Sequence, residues 1–494
     1  MKKFLAILLI LSMVCVSVIA CTDPADKPDD TGNAAGTGEE TLDPSSGLGA
    51  DGKYTTDLTP EEMLQWSGET FTVRTVELQN ARMQLDFEEI SDDPVDLAVY
   101  YRTAHLEQVM GIDFVDVMDA DYYSSGFTSV DNLVQAGDDS YHMLNVRCIE
   151  SIAAWSKGNI YTFDELKYVN LDKGYWAQDI NPGLTLLGEQ YTAVGAADLN
   201  VYDFMFTLLF SKQVFSERGL PNLYDLVNNG DWTVDKMSEV MKNSYFDENS
   251  SDSRDSSDFY GYLADGRMVI PHFLVSCEAL SVTKDKGDYP NVNFGDEHFY
   301  EVLQKVFVLM WDEENWFENY TGDNDVPSQC ITMFSQNQAL FLDCSFNFVP
   351  NLRSMETDFG IIPYPKWDKE QEDYHSRVSY FFSLVVPNTC KDIDLTSAVL
   401  EIMNCYSANE VIPAYYDQSL QGKIARDEES QAMLDIIFNH RIADLGDTTF
   451  CDIIRDGVLA GMFGSDDRNM STLTSKSKSI NKKISNYLEG AMEQ

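Results

Sequence analysis

The sequence is rich in side chains that stack and in side chains that accept hydrogen bonds. It holds 27 Phe, 25 Tyr and 7 Trp beside 82 Asp and Glu. Aromatic faces on a concave surface stack against sugar rings, while carboxylates, amides and arginines hydrogen-bond hydroxyls. Aromatics also build cores, and for any single Phe or Tyr the core is the commoner use. Two carboxylates about 5–10 Å apart could instead cleave a glycosidic bond, an alternative the sequence leaves open because pairing is set in space. Other chemistries find no residues. There is no Gly-rich phosphate loop, no dinucleotide fingerprint and no G-x-S-x-G elbow. The histidines (His105, His142, His272, His298, His375 and His440) are scattered, with no metal-ligand spacing. Asp247, Asn249, Ser251 and Asp258 sit near calcium-loop offsets, but Asp252 stands where the sharp turn needs Gly. No metal and no cofactor is therefore expected.

The elements that would position these groups alternate. Thr70 to Leu78 reads as a strand. Asp93-Pro94 is a helix entry, Val95, Val99, Leu106, Val109 and Met110 share one face, and Gly111 is a stop. Ile112 to Val117 and Tyr141 to Val146 read as strands. Helices follow around Val130–Val134 and from Ile149 to Ser156. Strand–helix alternation of this kind predicts an α/β layer with a mostly parallel sheet. Further on, Met205 to Phe210, Ala339 to Asp343, Phe359 to Ile362 and Ser379 to Val386 read as strands. Lys212 to Arg218, Thr233 to Lys242 and Glu297 to Trp311 read as helices, and the chain beyond Pro387 reads as mostly helical. Lys476, Lys478, Lys482 and Lys483 make the terminal segment locally basic, the pattern of a solvated helix face.

At 494 residues the chain has room for two domains. Its 34 Lys and Arg against 82 acids give a net charge of −48, which repels nucleic acid phosphates. Lys2 and Lys3 precede an apolar run from Phe4 to Ala20, the form of a secretory signal. The run ends Val18-Ile19-Ala20-Cys21, which resembles the lipobox of bacterial lipoproteins. That resemblance implies removal of residues 1–20, acylation of Cys21 and attachment to a cell membrane on its outer side. Residues 22–62 hold two Lys against eleven acids and almost no large apolar side chain, so 21–62 is expected to be a lipidated, disordered tether. Seven cysteines remain beyond it, an odd number with no C-x-x-C pair, read best as small buried residues.

Several segments together resemble family 1 extracellular solute-binding proteins, the capture components of ATP-binding-cassette importers. They are Gly188-Glu-Gln-Tyr-Thr-Ala-Val-Gly-Ala-Ala-Asp198 with Leu209-Phe-Ser-Lys-Gln-Val-Phe215, Gly219-Leu-Pro221 with Asp231-Trp-Thr-Val-Asp-Lys-Met237, Met333 to Phe341, and Asp358-Phe-Gly-Ile-Ile-Pro-Tyr-Pro365. Their order and spacing span about 69–490. The resemblance implies an α/β fold of two lobes, of the type II periplasmic-binding-protein kind, with the ligand in the cleft between. It places 69–198 plus 328–365 in the first lobe and 199–327 plus 366–494 in the second, with hinge strands near 195–202 and 363–383. It implies a monomer that binds a small solute, a carbohydrate above all, and docks on permease subunits. A peptide, polyamine or organic anion, or a lipoprotein glycosidase, are the alternatives. The implied ligand contacts are Glu77 closing the first strand with Gln79 and Asn80 following it, Asn145 and Arg147 at the end of the third, and Asp198 as a cleft carboxylate. Phe346 and Phe450 would stack, and Arg267 and Tyr380 would reach in from the second lobe. Trp232 is expected to pack rather than bind.

Overall fold

The computed structural model describes residues 47–49, 51–78, 81–123, 127–251, 253–312, 315–317, 326–379, 381–418 and 427–493. The leader, Cys21 and the first part of the expected tether lie outside these residues, as do Gln79, Asn80, Asp252 and Tyr380. No helix among the described residues is long and apolar enough to cross a membrane.

Local signals set the first lobe. Strand β1 (Thr70–Val76) buries Phe71, Val73 and Val76. The helix Pro94–Met110 starts where Asp93 accepts the Val95 and Asp96 amides and ends at Gly111 with φ 70°, a left-handed stop that glycine adopts without Cβ strain. Strands β2 (Asp113–Asp119), β3 (Met143–Arg147) and β4 (Ile160–Tyr161) follow. Strand β1 pairs in parallel with β2 and β3.

The second lobe starts with β5 (Phe206–Ser211) and β6 (Tyr260–Leu263), passes a hairpin of β7 (Val282–Lys284) and β8 (Pro290–Val292), and continues through β9 (Trp316–Phe317), β10 (Ala339–Ser345) and β11 (Phe359–Ile362). Its sheet runs β11-β5-β10-β6-β9. A helix that the sequence reading did not assign, Gly266–Ser276, contains Pro271, which breaks the usual pattern. After β12 (Ser376–Arg377) the chain returns to the first lobe as β13 (Phe382–Pro387), antiparallel to β3 and β4. The first sheet therefore runs β2-β1-β3-β13-β4. Short strand β14 (Arg441–Ile442) pairs with β12.

Two expectations need correction. Residues 328–365 do not join the first lobe: β10 and β11 pair with β5, while β13, placed in the second lobe by the sequence reading, pairs in the first sheet. A strand's partner is chosen by the whole sheet, not by the strand's own composition. Nor is the tether disordered up to residue 62. The Tyr54 amide donates to Asn409 Oδ1 at 2.8 Å, Asn409 Nδ2 donates back to the Tyr54 carbonyl at 2.9 Å, and the Tyr54 ring meets Tyr175 edge-on at 5.8 Å. Lys173 pairs with Asp57 at 2.8 Å, and Pro60–Met63 is a short helix capped by Thr59.

The two lobes are joined at 199–205 and, between β12 and β13, by the described residues Ser379 and Phe381. Asn200 staples these crossovers, donating to the Phe382 carbonyl at 3.0 Å and accepting its amide at 2.9 Å. None of the seven cysteines of the body is in a disulfide among the described residues, and six of them are buried, in line with their reading as small core residues.

Candidate functional site

The first sheet brings its chemistry to one edge. Because β1, β2 and β3 are parallel, their last residues, Val76, Asp119 and Arg147, lie together, and antiparallel β13 enters beside them with Phe382 opposite Arg147. In open α/β sheets ligands bind outside such carboxyl ends. The crossovers run past the same edge: Phe204 packs with Val76, Met83 and Phe382, and Tyr122 and Phe127 pack against that group.

Arg147 is the centre of this edge. Its guanidinium lies 5.9 Å from the Tyr122 ring centroid and 6.0 Å from that of Tyr123, both on the loop after β2. The Tyr122 ring stands edge-on to Phe382 at 5.4 Å and to Tyr123 at 5.1 Å. Tyr123 is 62% exposed, so one aromatic face stays open to solvent. Arg147 Nη2 also reaches Cys451 Sγ at 3.7 Å. Cys451 belongs to the second lobe, so the two lobes meet here. Burial pushes the Cys451 thiol up to about 12, with Cys148 close by adding to it, and raises Tyr122 to about 12. Both groups are neutral at pH 7: they can donate hydrogen bonds but do not act as nucleophile or base.

Behind Cys451 the second lobe is braced by a buried polar chain. Tyr262 and Tyr364 share a hydrogen bond at 3.0 Å, Tyr364 donates to Asp343 Oδ1 at 2.6 Å, and His272 Nε2 lies 3.0 Å from Asp343 Oδ2. Burial lowers the His272 pKa, with Asp343 opposing it. Arg377 grips Asp447 with Nε at 2.5 Å and Nη2 at 2.8 Å, and Arg455 Nη1 reaches the same carboxylate at 3.2 Å. Arg455 then forks onto Asp456 through two bonds of 2.9 Å. Such a chain fixes the position of the loop that carries Cys451 and Arg455.

A cavity of about 550 Å³ opens beside the same edge, lined by Glu77, Arg82, Gln84 and Asp96 among apolar Val76, Phe87 and Leu199. Arg82 is tied to the crossover: its amide donates to Asp203 Oδ2 at 2.8 Å, Nη1 lies 3.4 Å from Oδ1, and Nη2 donates to Gln418 at 2.9 Å. Burial raises the Asp203 carboxyl, while Arg82 holds it down.

The residues expected to bind ligand divide. Arg147 and Glu77 lie on the edge, Glu77 exposed in the cavity wall. Asn145 is 2% exposed, and its Oδ1 has no hydrogen-bond partner among the described residues. Asp198 is not an open cleft carboxylate: it is 4% exposed, Oδ2 accepts the Gly195 amide at 2.8 Å, and burial raises its pKa to about 7. Phe346 and Phe450, 2% and 0% exposed, are packed against Phe438 and Tyr487 and offer no stacking face. Arg267 is forked onto its neighbour Asp265, with Nη2 at 2.7 Å. Trp232 packs as expected, fully buried with Nε1 on the Pro363 carbonyl. Of the offsets near a calcium loop, Asp258 points inward, accepting from Tyr245 and the Glu248 and Asp255 amides. The sequence reading missed Tyr122, Tyr123, Arg82, Cys451 and Arg455. Only the Tyr122-Tyr123 pair, two aromatics in the polar loop after a strand, carried a readable signal.

No family model and no curated protein matches the sequence. Solved structures do. M. tuberculosis UspC is 13% identical, with a TM-score of 0.53 covering 84% of this chain and 99% of that one. An ABC substrate-binding protein from Listeria monocytogenes in complex with cycloalternan gives 12% identity, TM-score 0.53 and coverage of 84% and 99%. A cyclo/maltodextrin-binding protein complexed with maltotetraose gives 10% identity, TM-score 0.55 and coverage of 84% and 96%. The chain has the two-lobed fold of ABC solute-binding proteins. The expected fold class stands, and the Listeria and maltodextrin neighbours are binding proteins by name.

Proposed function

We propose that this chain is an extracytoplasmic solute-binding protein that captures a carbohydrate, an oligosaccharide in particular, and delivers it to the permease subunits of an ATP-binding-cassette importer. The observation that carries the reading is the meeting of the lobes at Arg147, where a guanidinium and two tyrosine rings face Cys451 of the other lobe. Tyrosine faces stack on sugar rings, and a guanidinium fork donates to neighbouring hydroxyls. The cycloalternan and maltotetraose complexes of the same fold support a saccharide. Closure of the lobes around the solute would use the crossovers at 199–205 and between β12 and β13 as hinges.

The reading makes the chain a binder and not an enzyme. The neutral Cys451 thiol and the double engagement of Arg455 with Asp447 and Asp456 support this. Removal of residues 1–20 and acylation of Cys21 would hold a monomeric body on the outer side of the cell membrane, with 21–46 as the tether.

A thermal-shift screen over neutral oligosaccharides and peptides tests the ligand class. A saccharide at a hundred times its Kd should stabilise by about 2.7 kcal/mol, a rise in Tm of roughly 3 °C for a body of about 430 residues that unfolds as a unit. Stabilisation by peptides and by no saccharide would overturn the reading.

A further inference from the structure

The basic terminal segment forms a helix, Met470–Met492. From Asn469 to Leu488 it has no acid and four lysines. Leu473, Ile480, Ile484 and Leu488 are buried, and Lys476, Lys478, Lys482 and Lys483 are all exposed. No ion pair holds any of the four among the described residues, although ion pairs occupy lysines elsewhere, such as Lys157, Lys305 and Lys391. The helix is a fixed part of the body. Asn481 Oδ1 accepts the Val292 amide at 3.2 Å, Ser485 bonds Tyr289 at 2.9 Å, and a Cβ at Gly490 would strike the Ser156 carbonyl at 2.4 Å.

We propose that this face docks the body on an anionic phospholipid surface. Charge complementarity argues for that occupant. In a chain of net charge −48, twenty residues without an acid form a local exception. Salt screens charges beyond about 8 Å, so a surface in contact with the helix experiences the four lysines more than the remoter acids, with Glu489 of the same helix and Asp452 beside Tyr487 as the nearer opposing charges. Each lysine at an anionic surface raises partitioning roughly fivefold, so four raise it about 10³-fold. In free solution that is weak. From a baseline of about 1 M⁻¹ for an uncharged face, the lysines give an association constant of about 10³ M⁻¹. Beside a bilayer, where the anchor of the proposed function keeps the body, the effective concentration is on the order of millimolar, and the face is then docked about half of the time. Docking would hold the helix flank against the bilayer and give the lobes a fixed orientation above it.

Amine acylation of the full chain attached to vesicles, followed by mass spectrometry, tests this. In vesicles of phosphatidylglycerol and phosphatidylcholine, Lys476, Lys478, Lys482 and Lys483 should react about twofold slower than in phosphatidylcholine alone. Lys53 and Lys236 should react equally in both, and 0.5 M NaCl should remove the difference. Replacing the four lysines by Gln removes their own labels, so a second readout follows Lys157, beside the Tyr487 end of the helix. Any protection of Lys157 in the anionic vesicles should be lost in that variant. Equal rates for the four lysines in both vesicles, or protection that survives high salt, would overturn the proposal. Either failure leaves the solute-binding reading standing, because no solute enters the assay.

Discussion

Asp447 supports the loop that carries Cys451 and Arg455, and its removal should be expensive. The carboxylate is buried and accepts three close bonds, two from Arg377 and one from Arg455. In Asp447→Leu, Arg377 keeps only neutral partners, Ser379 at 3.0 Å, Met268 Sδ at 3.3 Å and His272 at 3.4 Å, while Arg455 keeps Asp456. Removing one partner of a buried ion pair costs about 3–5 kcal/mol, because the charge left behind stays desolvated. For a lobe of this size that is a fall in Tm of roughly 6–20 °C by calorimetry at pH 7.5. Asp447→Asn keeps one acceptor and should cost less. Arg377→Met combined with Asp447→Leu should recover part of the loss, since the stranded cation is gone. Acid should narrow the gap between wild type and Asp447→Leu. Burial alone would raise the Asp447 carboxyl, but Arg377 and Arg455 outweigh it and hold the pKa below the usual value. Its stabilisation is therefore complete above about pH 4 and is lost as pH falls through the depressed folded value. A fall in Tm under 2 °C, or a gap that does not change in acid, would refute the account of this network.

Other groups give opposite or local signals. Burial raises Asp198 and Glu401 to about 7 in the folded chain, so each withdraws stability as pH climbs from about 4 to about 7. Asp198→Asn should gain Tm relative to wild type between pH 4.5 and pH 8, and a pH-independent difference would contradict this. Gly195→Ala would set a Cβ 2.1 Å from Asn404 Oδ1 and 3.0 Å from Trp176, so chemical denaturation should show a loss of about 1–3 kcal/mol or more. Tyr54→Ala removes the edge-on contact with Tyr175. Trypsin cleavage after Lys53 should then speed up at least severalfold, as loss of about 1 kcal/mol of local stability requires.

What could be read from the sequence was what local physics decides. Asp93, Pro94 and Gly111 announced both ends of one helix because capping and left-handed stops are made within a turn of the chain. The alternation of strands and helices announced the α/β class for the same reason. The membership of β10 and β11 was not legible, because their partner β5 lies more than a hundred residues away. The ordering of Tyr54 was hidden likewise, since Asn409 follows it by 355 residues. Phe346 and Phe450 show the limit for site residues: an aromatic has the same letter whether it stacks on a sugar or fills a core. The position of Arg147 was legible because it ends a strand, and a strand end has one place in an α/β sheet.

The central claim is that the lobes close on a saccharide held at Arg147 and Tyr123. Calorimetric titration of wild type, Arg147→Ala and Tyr123→Ala with the oligosaccharide that gives the largest thermal shift, paired with X-ray scattering of the same samples, tests it most directly. The account predicts that saccharide binds wild type and shrinks its radius of gyration. It also predicts that Arg147→Ala weakens binding at least tenfold at unchanged Tm, as loss of a charged hydrogen-bond donor of about 1.5–3 kcal/mol requires. Unaltered affinity in both variants, or binding with no change in scattering, would contradict it.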